Sequence, residues 1–208
     1  MNFREIPRCE SINIAFNLTG TGWAEAVIST DEWSTVLYGG CSGDNVVDLM
    51  HELYYMYAEN RKGFIVKFDN EPDASSITVS NTNAVAEELK MGDSTLYKLC
   101  PIETNTNLLI EIEPEADAED IIKFIIPFNA FAKAVVIAVD RMLDKHGFIG
   151  YDKTWSSGRG IDISAYIFAK KVAAGTWDDA LGSLGDDTYS SNLEAEIELI
   201  RSDINVFR

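Results

Sequence analysis

The sequence predicts an α+β fold, with a largely antiparallel sheet of about six strands packed against a long central helix. Two observations lead to this prediction. Short segments of alternating apolar and polar residues fill much of residues 10–126, and apolar residues at helical spacing dominate residues 129–205. Because strands and helices are segregated along the chain, we expect few parallel βαβ units. We find no internal repeat or long linker, so residues 1–208 are expected to form a single domain.

The first part of the chain is predicted to be a strand meander followed by a helix. Residues 12–18 alternate in polarity and end at the turn 20–22, and residues 23–29 and 33–38 have the composition of two further strands. A glycine-rich loop at 39–44 then leads into a helix. The apolar stripe of that helix consists of Val46, Leu49, Met50, Leu53, Tyr54 and Tyr57.

The middle of the chain returns to strands. Residues 64–68 and 76–79 are typical of a pair joined by a tight connection. Residues 107–113 predict another strand, and residues 120–126 predict its neighbour across an acidic turn. Residues 81–100 favour neither helix nor strand.

The strongest predicted helix spans residues 129–146. Val136 and Ile137 are apolar but lie off its main stripe, which indicates burial on more than one side, and Gly147 is a suitable C-cap. The main stripe consists of Phe131, Ala134, Val135, Ala138, Val139 and Met142. A loop containing Gly150 and Tyr151 is expected to follow.

The remaining sequence is predicted to be helical. Asp162 can cap one helix and Gly175 can end it. The pairs Thr176 with Asp179, and Ser191 with Glu194, resemble capping boxes for two more helices. The stripe of the last helix consists of Leu193, Ile197, Ile200 and Ile204.

The charge distribution restricts the possible partners. The formal net charge is −17, and no Lys or Arg occurs between Arg8 and Arg61, within 103–120, or within 172–200. Such a surface repels DNA, RNA and anionic membranes, and it attracts a basic protein, a polyamine or a metal cation. Three widely spaced cysteines and no apolar signal core favour a cytoplasmic protein with reduced thiols. The apolar run at 124–139 contains Pro127, Asn129 and Lys133, so we do not expect a membrane span.

No catalytic, cofactor-binding or metal-binding residue is predicted. The segment Gly40–Gly43 has the context of a nucleophile elbow, but Asp44 stands where that motif needs glycine, and helix capping by Ser42 or Asp44 explains the same residues. His51-Glu52 begins like a zinc-protease helix, but Tyr55 occupies the place of the second histidine. His146 falls at the end of a predicted helix, where the helix dipole favours a cation.

One acidic stretch and one aromatic residue are the candidate partner-binding residues. Six carboxylates within ten residues could form a docking surface for a basic partner, or a solvated strand edge that resists aggregation. Calcium binding is not expected, because the EF-hand spacing is absent. Tyr55 falls on the polar side of its predicted helix, where an aromatic side chain suits a protein contact. The six carboxylates belong to Glu111, Glu113, Glu115, Asp117, Glu119 and Asp120.

Several short segments carry a family resemblance. They are Phe68–Pro72, Phe131–Val135 and Ala138–Leu143, followed by Gly147, Gly150, Tyr151 and Trp155. In this order they resemble an uncharacterised family of small bacterial proteins encoded among polymorphic-toxin and contact-dependent inhibition loci. Those proteins are similar in kind to immunity proteins. The resemblance covers residues 10–205 in outline and implies no catalytic residue.

Charge and resemblance together predict a non-enzymatic, cytoplasmic binding protein, with no cofactor, that neutralises a cognate toxin. Many toxins are basic because they cut nucleic acid, and an acidic inhibitor gains association rate from electrostatic steering. Two alternatives stay open. One is a small hydrolase or transferase whose site is not visible as a linear motif, and the other is a phage-type structural or accessory protein.

Overall fold

A computed structural model describes most of the chain: residues 5–40, 45–70, 73–84, 102–103, 105–114, 121–154, 160–175, 182–185, 188–190 and 192–202. The strands are β1 (Asn13–Gly20), β2 (Trp23–Ser29), β3 (Ser34–Gly39), β4 (Gly63–Asn70), β5 (Asp73–Asn81), β6 (Asn107–Glu113), β7 (Ile122–Pro127), β8 (Gly182–Gly185) and β9 (Thr188–Ser190). The longer helices are α1 (Asn45–Ala58), α2 (Phe128–Thr154), α3 (Ile163–Ala174) and α4 (Leu193–Arg201).

The strands of the described residues form two main antiparallel sheets and one small hairpin. The first sheet has the order β1-β2-β3, the second has the order β4-β5-β6-β7, and β8 pairs with β9. The predicted α+β class, the antiparallel pairing and the long helix are confirmed. The strands divide between these two main sheets, of three and four strands, and α1 lies between β3 and β4 along the chain.

The two main sheets meet where β3 ends. The backbone N–H of Gly40 donates to the carbonyl oxygen of Asp69 at 2.6 Å, and the side-chain amide of Asn45 donates to the carbonyl oxygen of Lys67. A Cβ on Gly39 would lie 2.3 Å from Oδ1 of Asn45, so glycine allows this close approach. Gly40 and Asn45 therefore both lie against the outer edge of β4.

The alternating strands bury one face in a shared core. In β6, Leu108, Ile110 and Ile112 are at most 1% exposed, whereas Glu111 and Glu113, which alternate with them, are only half-buried; on the same face as the glutamates, Leu109 is 2% exposed. This is the period-two pattern of a strand with one face against a core. The same core cluster includes residues from both sheets and from the first three helices.

Helix α2 is the central buried element, as its apolar residues predict. It contacts β1, β7, α1 and α3, and both Val135 and Val136 are 0% exposed. Gly147 has φ 66° and ψ 168°, so the straight helix ends there as expected. The prediction of a loop after Gly147 was wrong for residues 148–154, which return to helical conformation and bury Tyr151 completely.

The last part of the chain departs most from the predictions. Asp162 caps α3 and Gly175 ends it with φ 69°, as expected. The Thr176–Asp179 pair lies outside the described residues, and the C-terminal region, expected to be mainly helical, contains a hairpin of β8 and β9 at residues 182–190. The predicted Ser191 cap was also wrong, because Asn192 accepts the N–H of Ala195 at the start of α4.

The apolar stripe of α4 is less buried than its spacing suggests. Leu193 is 66% exposed and Ile197 is 38% exposed, whereas Ile200 is partly buried against the core. Ile204 lies outside the described residues. Only the end of this helix is therefore seated on the rest of the fold.

The N-terminal segment covers the outer edge of β7. The N–H of Cys9 donates to the carbonyl oxygen of Ile125 at 2.8 Å, and the N–H of Ile125 donates to the carbonyl oxygen of Pro7 at 2.8 Å. This leaves β4 as the other edge of the four-stranded sheet. In the described part of the chain, no helix is long and apolar enough to cross a membrane.

Candidate functional site

The outer edge of β4 and the polar face of α1 form a groove of about 460 Å³, called the α1–β4 groove below. It is open to solvent and brings together a strand edge, carboxylates and an aromatic ring. It is lined by Asn45, Asp48, His51, Glu52, Tyr55, Ile65, Val66, Lys67 and Asp69.

Register determines which backbone groups of β4 face the groove. The N–H of Asn81 donates to the carbonyl oxygen of Lys62 at 2.7 Å, in line with the pairing of Gly63 with Ser80. Bonded and non-bonded pairs alternate in an antiparallel ladder. The N–H and C=O groups of residues 64, 66 and 68 therefore point toward β5, and those of residues 65, 67 and 69 point outward.

Two of the outward carbonyl groups are already bonded. The Asn45 side chain donates to Lys67, and the Gly40 N–H donates to Asp69. Among the described residues, the outward N–H groups of Ile65 and Lys67 have no hydrogen-bond acceptor. The middle of the β4 edge is thus open to pairing, and Ile65 beside it is 59% exposed.

The helix side of the groove is acidic. Asp48 and Glu52 lie one turn apart on α1, and Asp69 adds a third carboxylate from β4. Glu52 is paired with Arg61 at 3.3 Å, and Arg61 also bonds Glu59 at 2.9 Å. Lys67 also lines the groove and Arg61 is already paired with Glu52, so the three carboxylates leave a small negative excess, which favours a cationic ligand over an anionic one.

Tyr55 lies on the α1 side of the groove. Its place on the polar side of the helix, identified from the sequence, puts it next to solvent. It is half-buried, and the guanidinium group of Arg61 lies 4.2 Å from the centre of its ring. The centre of the Tyr54 ring lies 5.2 Å from that of Tyr55. Tyr55 is therefore a fixed aromatic surface that already accepts an arginine side chain.

His51 joins the groove to α3. Its Nε2 atom lies 3.1 Å from Oδ2 of Asp162, and the other carboxylate oxygen, Oδ1, accepts the N–H of Ala165 at 3.1 Å as the α3 cap. Burial raises the pKa of Asp162, but the Ala165 N–H and the His51 ring together outweigh it and hold that pKa below its usual value. His51 thus fixes α1 to α3.

The predicted acidic strand lies on the face of a sheet. The alternative of an acidic strand edge was wrong for Glu111 and Glu113, because β6 is paired with both β5 and β7. Glu111 accepts a bond from Lys123 on β7, and Glu113 accepts one from Ser76 at 3.4 Å. Both carboxylates thus have partners on neighbouring strands.

The other four predicted acidic residues, Glu115, Asp117, Glu119 and Asp120, lie outside the described residues. Tyr55 and Glu111 are not adjacent. Ile65 in the groove is in register with Thr78, and Thr78 is in register with Glu111, so about 10 Å of sheet separates β4 from β6. The docking residues predicted from sequence therefore divide between two neighbouring surfaces.

Only some of the residues that resemble catalytic motifs fall within the described part of the chain. Cys41, Ser42, Gly43 and Asp44 lie outside the described residues, and His146 stands immediately before the kink of α2. Within the described residues, no group of three or more histidine, cysteine or acidic side chains is placed to hold a metal ion.

Sequence reasoning missed a buried ionic centre between α2, α3 and α4. Lys170 is 1% exposed, and its Nζ atom lies 3.2 Å from a carboxylate oxygen of Asp140. It also donates to the carbonyl oxygens of Ile200 at 3.1 Å and Ser202 at 2.9 Å. The helical spacing contained a signal, because Tyr166, Ala169, Lys170 and Ala173 share the buried face of α3.

This centre has the character of a structural clamp. An ammonium group has three N–H donors, and three acceptors surround Lys170, so no donor is left for a ligand. Burial raises the pKa of Asp140, although the Tyr166 hydroxyl and Lys170 both favour its charged form. Burial and the neighbouring Asp140 also raise the pKa of Tyr166, which keeps its hydroxyl protonated as a donor to that carboxylate.

Comparison of the chain with family models, curated proteins and solved structures finds no match.

Proposed function

We propose that the protein is a non-enzymatic immunity protein, which acts in the cytoplasm by binding a basic toxin domain. The observation that carries this proposal is the combination of charge and an open surface. A chain of net charge −17 presents a groove with three carboxylates, a tyrosine that contacts Arg61, and a strand edge with two outward N–H groups that have no acceptor among the described residues. These features fit a basic protein partner and do not fit a nucleic acid.

The family resemblance supports the same proposal independently of the groove. Proteins of that kind are encoded beside the toxin that they neutralise. The alternative of a hydrolase or transferase gains no support from the Asp140–Tyr166–Lys170 centre, because all three donors of Lys170 are engaged.

The test begins with the genomic neighbourhood, where we expect a large toxin gene just upstream. The isolated toxin domain should stop growth of a host cell, and co-expression of this chain should restore growth. The two purified proteins should form a complex by size-exclusion chromatography. An unrelated protein of similar net charge serves as the control and should not restore growth. Absence of both rescue and complex formation would contradict the proposal.

A further inference from the structure

We infer that the α1–β4 groove receives an extended basic segment of the partner protein, which pairs with β4 as an added strand. The basic character of the partner rests on the proposed function. The mode of binding rests on the geometry of β4, where the outward N–H groups of Ile65 and Lys67 have no acceptor among the described residues.

Backbone pairing supplies the binding energy in this mode, and side chains supply the specificity. The four-stranded sheet has two edges, and the Pro7–Cys9 segment already covers the β7 edge. In the described part of the chain, the bonds to the outward side of β4 are those that Asn45 donates to Lys67 and Gly40 donates to Asp69. An added strand would therefore pair along Gly63 to Lys67.

The pleat of the added strand predicts its sequence pattern. Alternate side chains point to opposite faces of a strand. One set would face the α1 wall beside Asp48 and Glu52, which favour arginine or lysine. Glu52 and Tyr55 already contact Arg61, so a partner's arginine at that point would take the place of the Arg61 side chain. The other set would lie beside Ile65, which is 59% exposed and favours an apolar neighbour. We therefore expect alternating basic and apolar residues in the bound segment.

A second copy of this chain is a poorer occupant. Pairing of two β4 edges would bring two sets of Asp48 and Glu52 together, in molecules that each carry a net charge of −17. Like charges at close range oppose such an association.

The probe is an acetylated and amidated peptide of alternating arginine and valine, matched to the eight residues of β4. The control peptide has the same composition with arginine and valine in two blocks. Binding is measured by fluorescence anisotropy, and amide hydrogen exchange locates the bound peptide. We expect the alternating peptide to bind about tenfold more tightly, because only it can present one basic face and one apolar face. It should also slow exchange at Ile65 and Lys67.

Variants separate backbone pairing from charge. Ile65→Pro removes one outward N–H without touching the β4–β5 ladder and should weaken binding about tenfold. Ile65→Thr keeps that N–H and should retain most of the affinity. The double variant Asp48→Asn with Glu52→Gln should weaken binding more than Glu194→Gln with Glu196→Gln, which removes the same charge from α4.

The inference would be overturned by equal binding of the two peptides, by no slowed exchange at Ile65 and Lys67, or by undiminished binding to a folded Ile65→Pro variant. The exchange measurement uses the unaltered chain, so it decides the question even if Ile65→Pro does not fold. A β4-dependent dimer in sedimentation would identify a second copy as the occupant and overturn it as well. Peptide binding without toxin rescue would contradict only the proposed function, whereas rescue unaffected by Ile65→Pro would contradict only the added strand.

Discussion

Asp162 stabilises two elements through one carboxylate. It caps α3 by accepting the Ala165 N–H and pairs with His51 on α1. Loss of a capping side chain costs about 1 kcal/mol, so Asp162→Ala should reduce the free energy of unfolding by about that amount at neutral pH. Urea unfolding of the natural chain and of Asp162→Ala would measure this difference in the free energy of unfolding. Asp162→Asn is the matched control, because asparagine caps as well as aspartate but carries no charge.

The stabilisation by Asp162 should depend on pH. Its folded-state pKa is lowered, so the contribution of its charge is fully present above the unfolded-state pKa of about 3.9 and is lost as pH falls through the folded-state value. The stability difference between the natural chain and Asp162→Asn should therefore shrink below about pH 4. A difference that stays constant from pH 7 into the acid range would show that the carboxylate charge has no stabilising role.

Gly63 provides a steric test at the start of β4. A Cβ at this position would lie 2.3 Å from the carbonyl oxygen of Val79, a backbone atom that cannot move away alone. Gly63→Ala should therefore lower the free energy of unfolding by about 1–3 kcal/mol, the usual range for overpacking. Gly20→Ala is the control, since no atom lies within 4 Å of its Cβ position. Equal melting temperatures for the two variants would refute the close approach of β4 and β5.

At the scale of elements, α2 should be the least tolerant of charge. Val135 is 0% exposed, so Val135→Asp places an unpaired carboxylate in the core and should cost at least about 3 kcal/mol. Ile149→Asp makes a comparable change later in the same helix, where the side chain is 78% exposed, and should cost far less. Thermal unfolding of the two variants checks the assignment. A Val135→Asp variant that melts within a degree or two of the natural chain would disprove it.

Elements with strong local patterns could be predicted from the sequence. The alternation in β6 predicts residues 107–113, which are its observed bounds, and Gly147 correctly marks the end of the straight part of α2. The spacing of apolar residues was a less reliable guide to structure in the last part of the chain. Helical signals flank residues 182–190, but a hairpin forms there, and the regular stripe of α4 leaves Leu193 exposed. Tertiary packing overrides such short-range preferences.

The candidate site could not be predicted, because it depends on sheet order. Nothing local distinguishes an edge strand such as β4 from an internal strand such as β6. Glu111 and Glu113 were therefore expected at a possible edge, although the edge that is open belongs to residues distant in sequence. Tyr55 was identified from its helical position alone, and its position does place it in the groove.

At the scale of the whole molecule, net charge should control the rate of association. The Debye length falls from roughly 20 Å to about 4 Å as salt rises from about 0.02 to 0.5 M. Association with a basic toxin domain, followed by stopped-flow fluorescence, should therefore slow markedly over this range, while dissociation changes less. An association rate that does not change with salt would remove the electrostatic argument.

Two double variants separate the effect of total charge on the association rate from the effect of charge at one site. Glu111→Gln with Glu113→Gln removes two charges from the sheet face, and Asp48→Asn with Glu52→Gln removes two from the groove. Long-range steering predicts a similar, modest slowing for both, because it depends on total charge. A much larger slowing of association by the Glu111→Gln with Glu113→Gln variant would indicate that the toxin domain binds at β6 and not in the groove.

The surroundings of Lys170 also set the order in which the molecule can be completed. During synthesis, Asp140 and Lys170 are made first. The carbonyl group of Ile200 is added 30 residues later than Lys170. Until then the ammonium group has one of its three acceptors and keeps its remaining water. The end of α3 therefore cannot exclude water before α4 has been synthesised. A nascent chain halted before residue 200 should remain susceptible to protease cleavage near Lys170.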